Sequence, residues 1–123
     1  MNRSLDIQDF QSALATMNKS IEENRDAIFF RTLLKACETM YDDEHLGVAI
    51  YKDDPQTPYD YYTIRMEDGK FLLVEHGKEQ VKPDWKVSED YIHDLSKNPN
   101  KYIDHPEKLS LNWLVERVTA TAQ

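Results

Sequence analysis

A single cysteine, three glycines and a shortage of basic side chains exclude several protein classes at the outset. One thiol, Cys37, makes no internal disulfide, so the chain must fold on its hydrophobic core, and it suits a reducing compartment. Gly47, Gly69 and Gly77 stand too far apart to cradle a phosphate, and no G-x-S-x-G nucleophile elbow occurs. The opening MNRSLDIQDF has neither the apolar stretch nor the cleavage site of a secretory signal. Nothing later approaches the roughly 18 apolar residues that a membrane span requires. With 15 Lys and Arg against 23 Asp and Glu, the formal charge is −8. That charge repels a polyanion at long range, so nucleic acid is not an expected partner. A soluble, cytoplasmic protein with no transmembrane segment is the expectation.

A chain of 123 residues suits one domain over 1–123, burying about two-thirds of the surface its unfolded form exposes. Ser4 can cap a first helix whose apolar residues Ile7, Phe10, Leu14, Met17 and Ile21 repeat at 3-4-3-4 spacing, one seam along one side. Ser20-x-x-Glu23 has the form of a capping box and predicts a second helix restarting near 18–20 and reaching Met40. Its apolar residues, Ile28 to Tyr41, cover so much of the circumference that burial on more than one side is expected. The charged YDDEH connection ends that pattern. LGVAIYK then reads as a strand, and EQVKPDWKV as a short, partly irregular one whose Pro83 belongs at an edge or a bulge. Ser88 caps a third helix that stops at Asn98-Pro99, and a last helix starts either at Asp104, with Pro106 in its first turn, or at Ser110. The expected fold is α+β: an antiparallel sheet of four to five strands over 46–87, with helices over 4–41 and 88–120 packed on one face.

The clearest local signal is YYTIRMEDGKFLLVEHG, residues 61–77. Asp68-Gly69 between two apolar segments predicts a type I′ hairpin. Met66 then faces Phe71, Arg65 faces Leu72, Ile64 faces Leu73, Thr63 faces Val74 and Tyr62 faces Glu75. One face holds Tyr62, Ile64, Met66, Phe71 and Leu73. The other should be solvated, yet it carries Leu72 and Val74 beside Tyr61, Thr63, Arg65 and His76, which asks what covers them.

Catalytic or metal chemistry finds little support. The four histidines, His45, His76, His93 and His105, form no H-x-x-x-H or H-E-x-x-H pattern. His45 beside Asp42, Asp43 and Glu44 reads better as a charged connection than as a metal site, and His93 as a structural histidine. Cys37 shares its helical face with Leu33, Leu34 and Tyr41, where burial raises a thiol's pKa, so packing is its expected role. No catalytic residue, metal ligand or cofactor is therefore expected. An enzyme would need at least three of His45, His76, His93, Glu75 and Cys37 to meet in one cleft.

Seven tyrosines and two tryptophans cluster around the predicted sheet, as side chains that line pockets and interfaces do. From Gly47 to about Leu111, the run GVAIYKDDPQTPYDYYTIRMEDGKFLLVEHGKEQVKPDW followed by VSEDYIHDLSKNP resembles the sterol carrier protein type-two family in its order of strand, loop, strand, D-G turn, strand and helix. The resemblance implies a five-stranded sheet whose last strand falls in PEKLSLNWL, and an apolar cavity holding a fatty acid or other lipid. On that reading Phe29, Phe30, Leu33, Ile64, Leu72, Val74 and Trp113 line the cavity, and Arg65 or His76 meets the headgroup. Each buried CH₂ of an acyl chain contributes roughly 0.8 kcal/mol, so no charged anchor is needed. The alternative is an acidic interaction or chaperone-like adaptor domain with a protein partner or a second copy of itself as ligand, and no small molecule.

Overall fold

The computed structural model describes residues 5–37, 45–79 and 81–121. The Ser4 cap, the end of the second helix at Met40 and Tyr41, the acidic connection Asp42, Asp43 and Glu44, and Gln80 lie outside the described residues. The first helix, α1, spans Ile7–Glu23. Asp6 is its N-cap and accepts from the Asp9 N–H at 2.8 Å. The 3-4 spacing holds, since Phe10, Leu14, Met17 and Ile21 are buried. The predicted restart near Ser20 does not occur. An S-x-x-E spacing also fits inside a helix, and the Ser20 hydroxyl, fully buried, instead donates to the Tyr102 carbonyl at 2.8 Å. The chain turns at Asn24, whose side-chain amide bonds the Ser20 carbonyl at 2.7 Å, and α2 begins only at Ile28, running to Cys37.

Burial of α2 on several sides is also corrected. Phe30, Leu33 and Cys37 form one buried seam, whereas Ile28 is 78% and Phe29 52% exposed. An apolar-rich helix buries only the side for which the rest of the molecule supplies partners.

The strands β1 (Leu46–Tyr51), β2 (Asp60–Glu67), β3 (Lys70–His76) and β4 (Trp85–Ser88) form one sheet in the order β3-β2-β1-β4. The first three make an antiparallel meander, but β4 pairs parallel to β1, so the sheet is mixed rather than antiparallel throughout. The crossover after β3 carries the chain to the far side of β1. There the Asp84 carboxylate accepts from Gly47 N at 2.9 Å while Asp84 N donates to the Gly47 carbonyl at 2.8 Å, starting the ladder just after Pro83, which has no donor. No fifth strand is found among the described residues. Pro106–Lys108 forms a 3-10 turn where the resemblance implied that strand's start.

The hairpin forms as predicted at its turn: Asp68 has φ 53° and Gly69 φ 77°. A Cβ at Gly69 would lie 3.2 Å from Leu34 Cδ2, so α2 rests on the turn. Met66↔Phe71, Arg65↔Leu72 and Ile64↔Leu73 pair as expected, and then a β-bulge adds one residue to β3, giving Thr63↔Glu75 and Tyr62↔His76. Every partner beyond the bulge is therefore one position from the plain-alternation register.

The helices α3 (Glu89–Lys97, capped by Ser88), α4 (Asn100–Ile103) and α5 (Asn112–Thr121) complete the chain. Of the two predicted starts for the last helix, the observed one lies nearer Ser110. The inner face of the sheet holds Val48, Ile50, Tyr62, Ile64, Phe71, Trp85 and Val87, all buried. On it Phe10 of α1 stacks on Tyr62 at 4.0 Å between centroids, and Trp113 of α5 stacks on Trp85 at 5.1 Å. On its other side α1 meets α3 and α4, where Thr16 Oγ1 donates to the Leu95 carbonyl at 2.8 Å.

Two outcomes follow from these contacts. The Asn18 side chain of α1 accepts from Phe71 N at 2.7 Å and donates to the Phe71 carbonyl at 3.0 Å. Asn18→Ala should therefore lower stability by about 1–3 kcal/mol in urea unfolding, two hydrogen bonds' worth. Asp94 accepts from Lys101 Nζ, the Tyr102 hydroxyl and the Asn98 amide, which hold its carboxyl down at about 2. A depressed carboxylate stabilises the fold above its unfolded pKa, and this is lost as pH falls through roughly 4 to 2. The stability gap between the wild-type chain and Asp94→Asn should thus narrow from pH 6 to pH 2.5 in unfolding titrations.

Candidate functional site

The bulge and the edge position of β3 shape an open groove beside α1. Alternation in an antiparallel pair sends the main-chain groups of every second residue toward the neighbouring strand and those between them outward. Phe71 points outward, as its bonds to Asn18 demonstrate, so Leu73 presents its N–H and C=O on the same edge. Beyond it the bulge residues Val74 and Glu75 turn toward Thr63, and Gly77 N returns to the Tyr61 carbonyl at 2.8 Å. Leu72 and Val74 are each 37% exposed.

Beside this edge runs α1, and between them lies an open groove of about 630 Å³. Gln11, Leu14, Ala15 and Asn18 form its helical wall, and Phe71 to Val74 form the strand wall, with Arg65 and His45 at the outer rim. Arg65 is held by Glu67 at 2.8 Å. The groove is apolar at its centre and polar at its ends.

The bulge also moves His76. Plain alternation puts it on the outer face beside Arg65; instead its ring stacks on Tyr62 at 4.3 Å, and its Nε2 lies 2.7 Å from Asp60 Oδ2. Phe10, Tyr62 and His76 thus form a three-ring column closing the inner face at that corner. Arg65 borders the groove, and His76 does not. The Tyr62 hydroxyl in this column is buried without a hydrogen-bond partner, and burial, then the nearby Asp60, raises its pKa.

The seven expected cavity residues do not share one space. Ile64, Leu33 and Trp113 are buried in the core, and Leu72 and Val74 line the α1–β3 groove. Phe29 and Phe30 border a separate cleft of about 380 Å³ between α2 and the 3-10 turn, closed by Pro106, Leu109 and Leu111. The core between sheet and helices is occupied by the rings of Phe10, Tyr62, Phe71, Trp85 and Trp113.

No group of three or more His, Cys, Asp or Glu able to hold a metal occurs among the described residues. His76 pairs with Asp60, His93 lies 3.7 Å from Asp9, and His105 lies 3.3 Å from Glu107. Tyr59 acts as a latch, its hydroxyl donating to Glu89 at 2.7 Å and accepting from Leu5 N at 3.3 Å. The sequence reading missed Gln11, Ala15 and Asn18 as groove residues. The available signal was Asn18 itself, a poor helix former set beside the apolar seam.

Cys37 is buried, and desolvation pushes its thiol up to about 11. At pH 7.5 iodoacetamide should alkylate it at least tenfold more slowly in the native chain than in 6 M urea, a ratio read by mass spectrometry. A comparison with protein-family models, curated proteins and solved structures found no match to this chain.

Proposed function

We propose that this chain is a small, acidic, non-catalytic binding domain that holds a segment of another protein in the groove between α1 and β3. The observation that carries the reading is two apolar side chains, Leu72 and Val74, left open on an edge strand beside a groove. An edge strand beside a groove is a common place for a peptide to lodge. Natural sheets protect such edges with charge, bulges or covering elements. Here Asn18 covers the main chain of Phe71 and the bulge turns the main chain of Val74 and Glu75 toward β2, leaving the main chain of Leu73 between them open.

The acyl-carrier reading asks the seven cavity residues to surround one chain, and they are divided between the core, the groove and the α2 cleft. A sterol-carrier-like ancestry for 47–111 accounts for the order of strands around the D-G turn, but it also asks for a fifth strand where Pro106–Lys108 makes a turn. The protein-binding reading needs neither.

A photo-crosslinking residue at position 72 should give one defined adduct in cells, reproduced with the purified partner and abolished by Val74→Lys, while the same residue at exposed position 53 gives none. Val74→Lys should change thermal stability by no more than about 0.5 kcal/mol, since the side chain lies at the surface. Native mass spectrometry should find the bare chain mass. A stoichiometric acyl adduct, or identical adducts from positions 72 and 53, overturns the proposal.

A further inference from the structure

We infer that the outer face of α2 and the cleft beside it form a two-fold contact between copies of this chain, each copy setting Ile28 in the other's cleft and Arg31 against the other's Glu107. This surface shares no lining residue with the α1–β3 groove. Ile28 stands at the first position of α2 and is left almost bare, with the half-exposed Phe29 beside it. The adjoining cleft of about 380 Å³ is walled by Phe29, Phe30, Pro106, Leu109 and Leu111. Knob and hole therefore lie in one contiguous apolar patch, the kind of surface that marks an interface.

Charge selects the occupant. The one charged side chain on the cleft wall is Glu107, which lies 3.3 Å from His105 Nδ1 and is 68% exposed, so the cleft suits an aliphatic side chain with a cation close by. α2 itself presents that pair. Ile28 and Arg31 are three residues apart, neighbours on one side of a helix, and α2 carries Arg31 and Lys35 with no acidic residue in a chain of charge −8. Arg31 makes no ion pair among the described residues. Because knob and hole share one surface, a two-fold axis between Ile28 and the cleft seats both isoleucines at once and closes the assembly at two copies. Two such anchors and two exposed ion pairs are a small contact beside the roughly 800 Å² per partner of a stable dimer, so the dissociation constant is expected on the order of 100 µM. The bare chain is then the form found at low micromolar concentration.

Sedimentation equilibrium of the full chain tests this, at about 0.15 M salt, where repulsion between the two acidic copies is screened beyond roughly 8 Å. The weight-average mass should rise from that of one chain at about 5 µM toward twice that value at about 500 µM. Ile28→Lys should weaken association at least about tenfold, as should Arg31→Glu and Glu107→Arg singly, while the double variant carrying both charge swaps should recover it. All three positions are exposed, and the recovery in the double variant separates a lost contact from a lost fold. Val74→Lys, in the α1–β3 groove, should leave the dimer unchanged. A chain that stays single at about 500 µM overturns the inference. So does a dimer that survives Ile28→Lys, or one that Val74→Lys abolishes. Charge swaps that weaken association singly and fail to restore it together overturn the pairing of Arg31 with Glu107.

Discussion

Everything in this molecule depends on how α1 is clamped between the sheet and the C-terminal helices. Its apolar seam, Phe10, Leu14, Met17 and Ile21, supplies the burial, but burial alone would let the helix slide or rotate. Polar side chains fix its position. Thr16 and Ser20 donate to the carbonyls of Leu95 and Tyr102, Asn24 reaches those of Ser20 and Ile103, and Asn18 takes both main-chain groups of Phe71. Each bond satisfies a group that is costly to leave unpaired, and all but the Asn24–Ser20 bond tie α1 to another element, α3, α4 or β3. The helix is held on one side to the edge strand and on the other to the ends of α3 and α4.

That arrangement explains why the groove exists where it does. A helix laid along an edge strand covers it only where a side chain can reach the main chain, and Asn18 does so at a single residue. Farther along, Ala15 and Gln11 face Leu72 and Val74 across a gap, because a small and a polar side chain do not fill it. The bulge adds a local change of twist and turns His76 inward onto Tyr62, away from the groove. What remains is an apolar strip, Leu72 and Val74, beside a groove whose rim carries Arg65 and His45.

Elsewhere the titratable groups stand apart from one another. Cys37 sits where a thiolate is disfavoured, and the histidines are spread over separate corners, each beside its own carboxylate or, for His45, at the rim of the groove. The Asp94 cluster with Lys101, Tyr102 and Asn98 joins α3 to α4, and its depressed carboxyl follows from those bonds.

Periodicity in the chain was enough to define the α+β class, the seam of α1, the D-G turn and the first three cross-strand pairs of the hairpin, because these follow from local repeats of 3.6 and 2 and from the positive φ of a type I′ turn. The Ser88 cap and the stop at Asn98-Pro99 were legible for the same reason, being set by neighbours in sequence. Long-range partners decided the rest. Whether Ser20 capped a helix or pinned one depended on a carbonyl 82 residues away, and whether β4 ran parallel or antiparallel depended on where the crossover could reach. Nor could alternation reveal that one extra residue at the bulge would carry His76 to the other face. A strand's side-chain pattern has a period of two, and a single inserted position, held only by its tertiary surroundings, inverts everything beyond it.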